Sequence, residues 1–213
     1  MKRHARRLAP VLVLLLAAAF PARAEDPVPD ARMDEYIVAR ASDHRVVRTF
    51  GVSTCVVLTL YDPSAQVGAL AHISAMADIP RSLAAVFADL RAAGAGSGAL
   101  RAQLFGGWRT DPNGMTLFHS TSPEMVAAIK AVLAKRSVPV SREETLTDPE
   151  HPGGVKPIRN FAFDLLTGAV TDIEAGPGVM PSPGSDPEEQ ARFAQTHLLQ
   201  PNALSLSAAA KAP

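Results

Sequence analysis

The chain contains one cysteine, Cys55. A single thiol excludes an internal disulfide, so the fold has no covalent staple and the thiol is left unpaired. Aromatic residues are scarce, at 5% of the chain, and no basic tract is interleaved with them. This speaks against a nucleic-acid surface, which needs clustered cations beside stacking rings. No charge of either sign is in excess overall, with 21 Lys and Arg facing 21 Asp and Glu. No Cys/His/Asp group has the spacing of a zinc site. Beyond residue 24 no apolar run approaches the ~20 residues that a membrane-spanning helix needs.

What is present begins with "MKRHARRLAPVLVLLLAAAFPARA". Lys2, Arg3, Arg6 and Arg7 form a basic start, Leu8 to Phe20 an apolar run, and Ala22-Arg23-Ala24 an A-x-A step. In that order these are the parts of a secretory signal peptide. The expectation is cleavage after residue 24, a mature chain from Glu25, and a periplasmic or secreted location. An uncleaved membrane anchor is the alternative for the leader, and a start at Met33 would instead make the protein cytoplasmic. The leader holds five of the 21 basic residues and none of the acids, so the mature chain has 16 against 21, a net charge of −5. Its length suits one domain with a sizeable core. Residues 25–175 read as that domain, and 176–213, rich in Pro, Ser and Ala, as a weakly ordered tail with a short helix over 186–199.

Within the domain, Val46 to Phe50, Cys55 to Tyr61 and Val67 to Ser74 have strand composition. Asp62-Pro63 and Gly68 bracket a turn that makes a hairpin of the second and third. Leu83, Val86, Phe87 and Leu90 fall at helical spacing before Gly94, and Met125, Ile129, Val132 and Leu133 do so on a second helix. Ser122 is the expected cap of that second helix, with Pro123 at its first position. "ALRAQLFGGW", "MTLFHS", "VPVSREE", "IRNFAFDL" and "AVTDIE" read as further strands. Gly106-Gly107 suggests a bulge or a close backbone approach. About eight strands with two good helices predict a single α/β (α+β) domain, a mixed sheet with helices packed outside.

Composition alone leaves Cys55 open between a small buried hydrophobe and a reactive thiol. A cysteine nucleophile needs a base and an orienting group. The hairpin puts His72 on the strand beside the Cys55 strand. His44, His119, His151 and His197 carry no motif and read as surface or loop residues.

The stretch "RTFGVSTCVVLTLYDPSAQVGALAHI" resembles the active-site region of the chemoreceptor glutamine deamidase (CheD) family. That family has a Thr, a Gly-Ser-Cys step six residues on, an apolar strand, a D-P turn, and a His 17 residues past the Cys. Thr49, Cys55 and His72 stand at those spacings. "EYIVA", "LRAQLFGGW" and "GGVKPIRNFAFDLLTG" are similar to three more of its segments in the same order, so the resemblance covers about residues 32–175. It implies a layered β-sandwich flanked by helices, and a protein-glutamine deamidase with Cys55 as nucleophile, His72 as base and Thr49 orienting the imidazole. Ser53 and Thr54 would form the substrate or oxyanion loop. The substrate implied is a protein bearing a glutamine, no metal or organic cofactor is implied, and the family's role is in chemotaxis. A CheC-type partner is implied only for a cytoplasmic protein. Here Ser53-Thr54 replaces the family's Gly-Ser, Trp108 a small residue, and Val155 an Asn. The rival expectation is a catalytically inactive module that binds protein through the same fold. Transglutamination, with an amine resolving the thioester, is a third.

Overall fold

A computed structural model describes residues 28–96, 98–107, 121–145, 158–174 and 187–205. The elements are β1 (Asp30–Ala31), β2 (Glu35–Arg40), β3 (Val46–Val52), β4 (Val56–Asp62), β5 (Val67–Ile73), α1 (Ile79–Ala92), β6 (Arg101–Gly106), α2 (Thr121–Lys135), β7 (Val140–Glu144), β8 (Arg159–Asp164), β9 (Val170–Asp172), α3 (Pro187–Thr196) and β10 (Gln200–Pro201). Two mixed sheets result. One runs β1-β3-β8-β9, the other β10-β2-β5-β4-β6-β7.

The alternation of side chains along the central strands explains the layering. Val56, Leu58 and Leu60 of β4 point to one face and pack with Leu83, Val86 and Leu90 of α1 and Met125, Ile129 and Leu133 of α2. Val57 and Tyr61 point to the other and pack with Val47, Phe161 and Phe163 of the smaller sheet. All seven residues of β4 and all seven of β5 are buried, because both faces of these strands are covered. The molecule is therefore a sandwich of two sheets with helices on the outer face of the larger one. The α+β fold expected from the residues is the fold observed, as one layered domain.

Local chemistry sets the element ends. Asp78 caps α1 by accepting the Arg81 amide (3.2 Å), and Gly94 closes its C-terminal turn at φ +98°. Asp62 builds the β4–β5 turn by accepting the Ser64 amide (2.8 Å), the Ser64 hydroxyl (2.6 Å) and the Ala65 amide (3.2 Å). The second helix begins two residues earlier than expected, at Thr121, so Ser122 lies inside α2 rather than at its cap. The "MTLFHS" strand, Trp108, His119, His151 and Val155 fall outside the described residues.

The largest departure from expectation lies in the tail. Residues 187–205, read as weakly ordered apart from a short helix, form α3 and then β10, which pairs in parallel with β2. The Ser205 hydroxyl accepts the Val38 amide (3.0 Å), and the Leu199 amide donates to the Ser82 hydroxyl (3.1 Å). Asn202 donates to the Asp30 carbonyl (3.1 Å) and to the Glu35 carboxylate (2.9 Å). The physical reason is the open edge of β2, whose backbone groups need partners that a low-hydropathy, Pro-containing segment can still supply.

Candidate active site

The site is assembled where the two sheets meet. Thr49 lies on β3 with its side chain turned inward and is fully buried. Just after it the β3–β8 register shifts between Thr49 and Val52, with Gly51 at φ +73°. This bulge bends the chain out of the smaller sheet. The bend 53–55, carrying half-buried Ser53, Thr54 and Cys55, then delivers the chain to β4 of the larger sheet. Cys55 is thus at the crossing point between layers, partly open to solvent.

Across the hairpin, Val57 of β4 is the direct partner of His72 of β5. Cys55 lies in the bend that leads directly into β4, one residue before Val56, the partner of Ile73, so it enters the end of the hairpin at which His72 stands. No hydrogen bond joins the thiol to the imidazole in this structure, and Nε2 of buried His72 has no partner among the described residues.

The other ring nitrogen is held. The Thr49 hydroxyl lies 2.8 Å from His72 Nδ1 and 2.8 Å from the Ala31 carbonyl oxygen. A hydroxyl has one hydrogen, and the carbonyl can only accept. The hydroxyl therefore donates to Ala31, and Nδ1–H donates to the hydroxyl. That assignment leaves Nε2 with a bare lone pair, the form of histidine that takes up a proton. Burial pushes the imidazole down to about 4, so it is neutral at physiological pH.

Cys55 is the opposite case. Burial, and after it the carboxylate of Asp34, together push its thiol up to about 12. The resting site is a neutral thiol beside a neutral imidazole, not a preformed thiolate–imidazolium pair.

The backbone of Cys55 is fixed by the glycine pair of β6. The Gly107 amide donates to the Cys55 carbonyl (2.7 Å). A Cβ on Gly106, at φ +90°, would lie 2.4 Å from that carbonyl oxygen and 2.7 Å from Val52 Cγ1. The close approach anticipated at Gly106-Gly107 is made against the candidate nucleophile itself.

Asp34 is the residue that sequence reasoning missed. It occupies the β1–β2 turn at φ +65°, its amide donates to the His72 carbonyl (2.7 Å), and its carboxylate accepts the Ser74 amide (2.9 Å). Ser74 and Cys55 directly adjoin Ile73 and Val56, the last pair of the β4–β5 ladder. The only trace in the sequence is an acid just before the "EYIVA" strand, which is indistinguishable there from an ordinary turn aspartate. His44 and His197 make no hydrogen bond to this group of residues. Among the described residues no cluster of His, Cys, Asp and Glu is arranged to hold a metal ion.

Comparison with known proteins adds little to this geometry. No family model matches the chain. No curated protein matches it either. A solved structure, the Bacillus licheniformis hypothetical protein YfiH, resembles it at 12% identity and a TM-score of 0.36, over 53% of this chain and 50% of that one. The chain thus spans half the length of the solved structure that it matches.

Proposed function

We propose that the chain is a cysteine amidohydrolase of the CheD type that converts protein glutamine to glutamate and releases ammonia. The observation that carries the reading is the buried, unpartnered Nε2 of His72, its tautomer set by Thr49, at the end of the hairpin where Cys55 leads into β4. A buried polar atom without a partner costs about 1–3 kcal/mol, and a site that takes up a proton there is a reason to retain it.

In this reading the Cys55 proton passes to Nε2 as sulfur attacks the carboxamide carbon. The amides of the bend 53–55 face the developing oxyanion. The carbon–nitrogen bond breaks, and the imidazolium proton leaves with ammonia. Water then attacks the thioester, giving its proton to Nε2, and the released thiolate recovers it as glutamate departs. Because both groups rest neutral, the proton moves with the attack rather than before it. The leader sequence directs the activity to an exported target, so the chemotaxis role and the CheC-type partner of the resembling family would apply only to a cytoplasmic form starting at Met33.

A second reading has its own observation. A thiol held near 12 with no hydrogen bond to His72 also suits a catalytically inactive module that binds protein through this fold. Ammonia release from casein separates them, comparing chain 25–213 with its Cys55→Ala variant. Release that vanishes in the variant supports the deamidase. No release, with Cys55 no more reactive to iodoacetamide than in urea, overturns it in favour of the binding module. Incorporation of a labelled primary amine in place of ammonia-linked hydrolysis would mark the acyl acceptor as an amine.

A further inference from the structure

The described residues bury four carboxylates: Asp30, Asp34, Glu35 and Asp62. Three are balanced. Asp30 meets the Arg48 guanidinium at 2.8 Å, and Glu35 meets Arg32 at 3.9 Å and accepts from Asn202. Asp62 accepts from Ser64 twice, from Ala65, and from the Gly96 amide at 2.7 Å. Asp34 has only Ser74, through its amide and its hydroxyl, and no cation. A carboxylate without a countercharge is costly to bury, so one retained beside a nucleophile is a candidate for a countercharge that arrives with the ligand.

Its surroundings fit a ligand of that kind. Met33 and Met76, 58% and 64% exposed, flank the Asp34–Ser74 pair in sequence on the two sides. Ile158, 66% exposed, directly precedes Arg159, the partner of Val52, and so lies beside the bend that carries Cys55. Exposed apolar side chains thus adjoin in sequence both the acid and the residue that binds it, and the His72 Nε2, on the strand that leads to Ser74, is unpartnered. Apolar rims around a single charge are how a protein surface selects a long amphipathic side chain, whose methylenes cover the rim while its head reaches the acid.

We infer that Asp34 is a cation-binding residue of this site, and that the glutamine it accepts is presented next to a lysine or arginine side chain whose charge Asp34 receives. A cation seated on Asp34 also offsets the negative field that adds to burial in holding Cys55 as a thiol, so the correct ligand would both dock and ease ionisation of the nucleophile. The identity of the scissile group rests on the deamidase reading. The cation preference does not.

Cys55 is the sole cysteine, so thiol modification reports on one atom. The full mature chain is treated with three methanethiosulfonates: ethyltrimethylammonium (cation), ethylsulfonate (anion) and methyl (neutral). The cation-to-anion rate ratio is measured folded and in urea. The expected result is a folded ratio about five- to fiftyfold above the urea ratio, the range given by one unit charge at close approach under partial screening. The ratio falls to within about twofold of the urea value in Asp34→Asn and in Asp34→Gly. Asparagine keeps an acceptor for Ser74, and glycine suits the positive φ, so a folded variant is available even if one of them fails. A preference that persists in the variants, or its absence in the wild type, overturns the inference. Rates with the neutral reagent show whether a variant has merely opened the site. Charge preference without ammonia release would discard the deamidase and keep the cation site. Ammonia release without charge preference would do the reverse.

Discussion

Replacing Thr49 with valine removes one oxygen and leaves the shape nearly unchanged, which makes it the sharpest probe of the site. In the wild type that oxygen sits 2.8 Å from His72 Nδ1 and 2.8 Å from the Ala31 carbonyl, with both Thr49 and His72 buried. Thr49→Val therefore strands two buried polar groups, Nδ1–H and the Ala31 oxygen, at about 1–3 kcal/mol each. The combined loss, about 2–6 kcal/mol, is a large share of the ~5–15 kcal/mol that holds a domain together. With a urea m-value of about 2 kcal/mol/M the midpoint drops by roughly 1–3 M. The imidazole, no longer pinned at Nδ1, also moves its proton to Nε2, which cannot then accept one from Cys55. Long-range proton–nitrogen spectra of the histidine-labelled chain report the tautomer, and urea melts report the midpoint. Thr49→Ser should retain the Nδ1–H tautomer and most of the stability. A wild-type His72 protonated on Nε2, or a Thr49→Val midpoint equal to wild type, would refute the hydrogen-bond reasoning on which the base assignment stands.

Two further outcomes follow from neighbouring residues. His72 takes a proton at about 4 when folded and at the ordinary 6.5 when unfolded, so between those values the unfolded chain binds more protons. Stability contributed by neutral His72 is thus complete above pH 6.5 and is lost as the pH falls through 4, by about 3 kcal/mol; the difference in melts between wild type and His72→Gln isolates it from the opposite slope of Asp34, and equal slopes would remove the argument. Gly106→Ala forces a side chain into the Cys55 carbonyl at a positive φ, and should destabilise by about 3–5 kcal/mol from backbone strain plus overpacking; an unchanged urea midpoint would show that the β6 turn relaxes freely.

Much of the scaffold was readable because it obeys simple periods. β4 and β5 are uninterrupted apolar runs joined by an Asp-Pro turn, and both helices keep their stripe of Leu, Val, Ile and Met on one face. The bulge at Gly51 and the tail strand β10 were not readable, for different reasons. The bulge is a register shift set by two strands more than a hundred residues apart. The tail pairs through backbone groups and single polar contacts such as Ser205 to Val38, which leave no hydrophobic pattern behind. At the site, the Thr49, Cys55 and His72 positions came from spacing that resembles a family. Asp34 could not come from spacing at all, since only the folded chain ties it to the His72 carbonyl and the Ser74 amide at the end of the hairpin that Cys55 enters.

The pairing of β10 with β2 also bears on when this molecule becomes whole. β2 is made among the first fifty residues, yet its outer edge stays uncovered until residues 199–205 have emerged. Through all of synthesis, and through any passage that requires an extended chain, the nascent domain carries an unsealed strand edge and an incomplete sheet. The last strand acts as a completion mark. A chain cut short before it would present an open edge to its neighbours, and folding to the finished state cannot run ahead of translation.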